Sequence, residues 1–253
     1  MPQFSSLDVM KRSFVSTSKL FEKESYEKLC NYRVGIIGLG GVGSWVAEAL
    51  TRSGIKKLVL VDCDHITESN INRQVQATIN TLGLPKTAAL EKRLIEINPA
   101  MEVVLHEVFF AKENNLKILN QQPTDFWIDA CDDMNAKILL INSFNGGDRR
   151  KKILICGGAG GKTDPFKIVH TDLHETTNDP LLSKLRYKLR REYKFPRAGK
   201  MQIPVLSSNQ SPIKITKNTS SRLGCSGYGS IVTMTASFGM KASFVAINQL
   251  LKK

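Results

Sequence analysis

Residues Val34-Gly35-Ile36-Ile37-Gly38-Leu39-Gly40-Gly41-Val42-Gly43-Ser44 decide how this chain folds. A short apolar run leads into a glycine turn. The turn leads into Trp45-Val46-Ala47-Glu48-Ala49-Leu50, which has helical spacing. Gly38, Gly40 and Gly43 satisfy G-x-G-x-x-G between a strand and a helix, the setting that the motif requires. Gly38 permits the tight turn, Gly40 lets backbone approach a phosphate, and Gly43 lets the helix lie close on the strand. The helix start then offers free N–H groups and the positive end of its dipole to an anion. The alternative is a glycine-rich turn that holds no ligand.

The next apolar run, Lys57-Leu58-Val59-Leu60-Val61, ends in Asp62. This acid stands about 20 residues beyond the glycines, where a carboxylate takes a ribose hydroxyl. Up to this point a nicotinamide enzyme and an ATP enzyme read alike. Three further stretches separate them: Asp62-Cys63-Asp64, Asn70-Ile71-Asn72-Arg73-Gln74 and Gly83-Leu84-Pro85-Lys86. A dinucleotide pyrophosphate is held largely by the helix start. A triphosphate carries more charge, and its reacting phosphorus calls for added cations, which Arg73 and Lys86 supply.

Gly-x-Gly-Gly-x-Gly-Ser (Gly38 to Ser44, with Gly41 as the added glycine), Asp-x-Asp, Asn-x-x-Arg-Gln and Gly-x-x-Lys in this order resemble the E1-like adenylating family. Asp129-Ala130-Cys131-Asp132-Asp133 is similar to the family's acidic strand end. The resemblance implies that Asp62 grips the ribose. Asn70, Arg73, Gln74 and Lys86 would hold phosphates and the charge developing at the α-phosphorus, with Arg73, Asp132 and Lys86 as the catalytic set. Asp132 would hold Mg2+, and Asp64 would orient Arg73 or the metal, or serve as a strand-end cap. The cofactors implied are ATP and Mg2+, with room for a monovalent cation, Na+ or K+.

Alternation of short apolar runs and helical segments along the chain predicts an α/β fold. It is Rossmann-like and doubly wound, with a mostly parallel sheet, helices on both faces and a C-terminal extension. We divide it into an N-terminal helical arm (1–33), a nucleotide-binding core (34–165) and an extension (166–253) of the same domain that faces a substrate and a second subunit. Residues 196–220, rich in Pro, Ser, Asn and Lys, read as a crossing loop. Leu223-Gly224-Cys225-Ser226-Gly227 opens another glycine turn, in which Cys225 is a candidate reactive thiol. Ile231 to Leu251 is apolar but interrupted by Lys241, Asn248 and Gln249. It reads as a core or dimer helix, with membrane contact as the alternative.

The chain has 253 residues, 42% of them hydrophobic, enough for a sizeable core. Its net charge of +13 points to a polyanionic partner. From Lys184 to Lys200 eight cations face one acid, with Tyr187, Tyr193 and Phe195 interleaved. Lys184, Lys188, Arg190, Arg191 and Lys194 are the candidate nucleic-acid contacts, and a solvated helix face is the bland alternative. The cysteines at 30, 63, 131, 156 and 225 form no C-x-x-C pair, so no zinc ribbon is implied. Reduced thiols and a start without a secretory apolar core fit the cytoplasm.

Gly157 to Gly161, Thr171-Asp172-Leu173, Asp179-Pro180-Leu181 and the Gly227 to Gly239 region look like the branch of that family that dehydrates threonylcarbamoyladenosine in tRNA. This implies adenylation of the threonyl carboxylate, then ring closure by a nitrogen of the same modification, which needs no enzyme thiolate. It also implies a homodimer, in which an N-terminal arm reaches the partner's ATP. The family relatives carry arginine where this chain has Lys19. A lysine cannot make the same bidentate phosphate contact, so Lys19 stays outside the site. Two alternatives remain: an activator of a small sulfur-carrier protein, and a non-catalytic adaptor beside a cysteine desulfurase and its sulfur acceptors.

Overall fold

A computed structural model describes residues 12–144, 146–213 and 228–252. Seven strands form one sheet in the order β3-β2-β1-β4-β5-β7-β6. They are β1 (Arg33–Ile37), β2 (Lys57–Val61), β3 (Glu102–His106), β4 (Phe126–Asp129), β5 (Ile153–Cys156), β6 (Ile168–Asp172) and β7 (Pro204–Ser208). All neighbours pair in parallel except β6, which runs antiparallel to β7 at the edge. The helices are α1 (Val15–Ser18), α2 (Lys23–Asn31), α3 (Gly43–Arg52), α4 (Lys86–Ile97), α5 (Asn115–Gln121), α6 (Met134–Asn142), α7 (Gly146–Lys152), α8 (Pro180–Glu192) and α9 (Val232–Leu251).

The expected doubly wound architecture is the one that forms, and the strands show why. Side chains alternate across a strand, so a strand covered on both faces must be apolar throughout. Leu58 and Leu60 of β2 join one core with α3, α4 and α9. Val59 and Val61 join the other with α5, α6 and α8. Gly35 breaks the apolar run of β1 for a packing reason. It is in register with Trp127 of β4, and a Cβ there would lie 2.2 Å from the indole. Strand order reverses between β2-β1 and β1-β4, which opens the crevice at the carboxyl ends of β1 and β4 where such folds bind ligands.

One expectation needs correction, and one helix carried no sequence signal. Residues 196–220 are not simply a crossing loop, because Pro204–Ser208 form β7 inside the sheet, between β5 and β6. Proline is tolerated at the first position of a strand, and Ser207 and Ser208 are buried despite their polarity. α7 was also hidden, since its sequence GGDRRKK has no apolar period. Its acid falls in the first turn and its cations in the last, which suits the helix dipole. Residues 214–227, including Cys225, lie outside the described residues.

α9 is a core helix. Met234, Phe238, Ala242 and Ala246 enter the core it shares with α3. Gly239 makes room, since a Cβ there would stand 2.6 Å from Cβ of Trp45 and 2.9 Å from the carbonyl of Val42. Among the described residues no helix is long and apolar enough to cross a membrane.

Trp127 is fully buried, and its indole occupies the space that a side chain at position 35 would need. Gly35→Ala should therefore cost about 1–3 kcal/mol of stability through overpacking, read as a lower urea midpoint at an unchanged m-value. An unaltered midpoint would mean that the indole yields without strain.

Candidate nucleotide site

The glycines of the first turn do different work. Gly38 has φ 86, and a Cβ there would come within 2.6 Å of the Cys131 backbone nitrogen. A Cβ on Gly43 would lie 1.9 Å from the Gly38 carbonyl oxygen. These two positions bring β1, the start of α3 and the end of β4 into backbone contact. Gly40 faces open space, with nothing within 4 Å of its would-be Cβ. A Cβ on Gly41 would lie 3.2 Å from Cδ of Arg73 and 3.1 Å from Cγ2 of Thr235 on α9, so the glycine leaves room for the arginine stem. The start of α3 has no side-chain cap, which leaves amide donors for an anion.

Asp62 holds the turn in shape. Its carboxylate accepts the Leu39 N–H at 2.6 Å and the Asp64 N–H at 2.8 Å. Lys86, buried at the start of α4, bonds Asp64 Oδ2 at 2.6 Å and stands 3.9 Å from Asp62 Oδ1. Ligand atoms of Asp62, Cys63 and Asp64 cluster within 4.8 Å, but the Lys86 ammonium already supplies the positive charge there. Asp64 is held below its ordinary range, first by the hydrogen bond from Lys86, with burial acting the other way.

Arg73 arrives from a loop built around two short turns. Its guanidinium donates to the Ser69 carbonyl at 2.6 Å and to Asn72 Oδ1 at 3.0 Å. Its own carbonyl accepts from the Trp45 indole N–H at 2.9 Å. Asn70 and Gln74 are both buried. Asn70 accepts the Thr67 N–H at 3.1 Å, closing the turn before Arg73. Gln76 donates to the Leu39 carbonyl at 2.9 Å and more loosely to Gln74. It ties the arginine loop to the glycine turn, a role with no signal in the sequence motif. The C-terminal segment adds a further tie, since Asn72 Nδ2 donates to the Ser230 carbonyl at 3.1 Å.

Three acids close the site at the end of β4, each in a different state. Asp129 is fully buried and paired with Lys137 at 3.0 Å. Asp133 caps α6, accepting the Ala136 N–H at 2.7 Å. Asp132, between them, is exposed. The strand ends thus bring together the glycine turn, Asp62, Asp64, Asn70, Arg73, Gln74, Lys86 and Asp132.

The basic stretch belongs to another element, α8 and the residues just beyond it. On α8, Leu182, Leu185 and Leu189 face the core, and Lys184 and Arg191 are exposed, as is Lys194 just beyond it. Arg190 is partly engaged within the chain, through the Pro196 carbonyl and His174 Nδ1. Arg186, absent from the candidate contacts, bonds the Leu173 and Thr176 carbonyls and the Thr176 hydroxyl. Another buried pair went unread, Lys162 with Asp179 at 3.7 Å. Asp179 also caps α8 and accepts the Gly158 N–H at 2.9 Å. An aspartate before a proline is a helix-start signal that could have disclosed this cap.

The geometry is that of a nucleotide-binding α/β protein with cations facing its glycine turn. The chain belongs to the ThiF family, whose profile matches residues 15–253. It is 39% identical to the tRNA threonylcarbamoyladenosine dehydratase of Haemophilus influenzae, over 98% of this chain and 96% of that protein. Two crystal structures of the Escherichia coli tRNA N6-threonylcarbamoyladenosine dehydratase superpose with TM-scores of 0.85 at 30% identity. One is in complex with ATP and covers 98% of this chain and 97% of that one; the other is in complex with AMP and covers 99% and 97%. The resemblance read from the motifs is borne out for the family and for its tRNA-modifying branch.

The Lys86–Asp64 pair gives a pH signature. A carboxylate with a lowered folded pKa stabilises fully above its ordinary value, and that stabilisation is lost as pH falls through the lowered one. Lys86→Met should move the Asp64 titration upward, as followed by carbon-detected NMR of the carboxyl. A midpoint that stays put would assign the shift to other neighbours.

Proposed function

We infer that this protein is an ATP-dependent dehydratase that adenylates and cyclises threonylcarbamoyladenosine in tRNA. The observation that carries the reading is the end-to-end likeness to dehydratases of that name, in a chain whose glycine turn is faced by Arg73 and Lys86. The triphosphate lies over Gly40 and the start of α3, where backbone N–H groups meet phosphate oxygens. Asp62 accepts a ribose hydroxyl with the capacity that Leu39 and Asp64 leave free. Lys86 and Arg73 neutralise the phosphates, and Arg73 exchanges its contacts with Ser69 and Asn72 for phosphate oxygens. Asn70 and Gln74 shape the loop that presents it.

The threonyl carboxylate oxygen attacks the α-phosphorus, and the bond to pyrophosphate breaks. A nitrogen of the same modification then attacks the acyl carbon. AMP departs with the carboxylate oxygen, the nitrogen gives up its proton, and a ring closes with net loss of water. The second nucleophile is tethered to the first, so proximity supplies much of its reactivity. No enzyme thiolate is needed. The described cysteines suit this, since burial raises the pKa of each, Cys63 to about 11 and Cys156 to about 12.

Asp132 fits a magnesium site, because Asp129 and Asp133 are already engaged while its carboxylate is exposed. Mg2+ takes one or two carboxylates together with substrate oxygens, and when bound it would neutralise phosphate charge. We assign tRNA contact to the extension 166–253, through Lys184, Lys188, Arg191 and Lys194, with Arg190 contributing what its internal bonds leave. A homodimer belongs to the same reading. It is supported by apolar groups left in solvent beside α9: Phe166 at 96% exposure, with Met240 and Phe244. We assign the activity to the cytoplasm, where such a tRNA substrate is met.

Arg73→Ala should lower tRNA-dependent pyrophosphate release about a hundredfold, as loss of a transition-state cation does. Near-normal turnover would remove Arg73 from the chemistry. Calorimetry should detect ATP and not NAD, and tight NAD binding alone would overturn the nucleotide assignment. Replacing Lys184, Lys188, Arg191 and Lys194 by alanine should weaken tRNA binding and flatten its salt slope by about one unit per lost contact. ATP affinity should not change. An unaltered slope would make this stretch a solvated face.

A further inference from the structure

We propose that Lys137, buried beneath the strand ends, is a positioning residue that sets the place of the Asp132 carboxylate through Asp129. The proposal rests on the assignment of Asp132 to the magnesium–nucleotide site.

Lys137 stands in the apolar run Ala136-Lys137-Ile138-Leu139-Leu140-Ile141 and is fully buried. An ammonium in such a place persists only when paired and hydrogen-bonded. It has two partners from two strands: Asp129 Oδ2 at the end of β4, 3.0 Å away, and the Cys156 carbonyl at the end of β5, 2.9 Å away. One side chain of α6 therefore ties together the carboxyl ends of two neighbouring strands.

The clamp reaches Asp132 from both sides. On the near side, the other oxygen of Asp129 accepts the Cys131 N–H at 3.1 Å and the Cys131 thiol at 2.9 Å. Cys131 is the residue packed against Gly38 of the glycine turn. On the far side, the Asp133 cap binds the amide of Ala136, the residue before Lys137. Asp132 is thus the exposed middle of a short turn whose two ends are fixed to the same helix start. Burial works against the charge on Lys137, but the Asp129 carboxylate outweighs it and keeps the ammonium protonated throughout the working range.

The competing account makes the pair mere core filling. The two accounts diverge in a double-mutant cycle. Asp129→Leu with Lys137→Met removes both charges at similar volume, a replacement that cores commonly tolerate. If the pair acts through Asp132, this variant should lower the turnover for pyrophosphate release by about tenfold or more, since small misplacements are costly to catalysis. Added to Asp132→Asn, it should lower turnover little further. Calorimetry should also show a smaller gain in ATP affinity on adding magnesium, with affinity for ATP alone and the melting temperature near those of the wild type. Effects that multiply independently, or an unchanged magnesium-dependent gain, would overturn the proposal. If Asp132→Asn alone leaves turnover and the magnesium-dependent gain intact, it is the Asp132 assignment that fails, and the proposal falls with it. Should the double variant not fold, Asp129→Asn with Lys137→Met removes both charges, keeps an acceptor for the Cys131 N–H and enters the same cycle with the same criteria.

Discussion

The site depends on one steric constraint, the contact of the Gly38 turn with the end of β4. At Gly38 a methyl group would strike the Cys131 backbone, and at Gly43 it would strike the Gly38 carbonyl. No other residue type allows three chain segments to meet so closely. Their meeting point is the crevice where strand order reverses. Four parts of the site are referenced to it: Asp62 through Leu39, Arg73 through Gly41, Gln76 through the Leu39 carbonyl, and the acidic turn through Cys131.

The charges of the molecule fall into three environments, and environment separates their roles. Asp129 with Lys137 and Asp179 with Lys162 are buried pairs at strand ends. They stay because removing one partner would leave the other charged and desolvated. At Lys162 burial wins over Asp179, and its pKa is lowered. Arg73, Lys86 and Asp132 form the second group, at the strand ends beside the glycine turn. The third group, on and just beyond α8, is exposed or half-exposed on a helix anchored by three leucines. Such charges are weak in stability and strong in long-range attraction for a polyanion.

This division explains which parts were legible in the sequence. The glycine turn could be read because its residues are chosen by backbone sterics within a single stretch. The alternating apolar runs disclosed the parallel sheet, because both faces of β1, β2, β4 and β5 are buried. β7 could not be read the same way. Only Val205 and Leu206 interrupt its proline and serines, and its burial comes from neighbours distant in sequence, β5 and β6. The same holds for Gln76, whose importance lies in one bond to a carbonyl 37 residues away. Lys137 did leave a trace, a lone cation in an apolar helical run, but such a trace names no partner.

The acidic turn shows how far a motif can be taken residue by residue. Its three aspartates are chemically identical in sequence, and the resemblance to related enzymes points to the middle one. The structure supplies an independent physical reason to separate them. Asp129 faces the interior as the last residue of a buried strand, so it must find a cation. Asp133 precedes a helix, where a carboxylate satisfies an otherwise free amide. Asp132 has neither obligation and stands in solvent at the crevice. A carboxylate without structural duty can bind a ligand without weakening the fold, and its two neighbours hold it there.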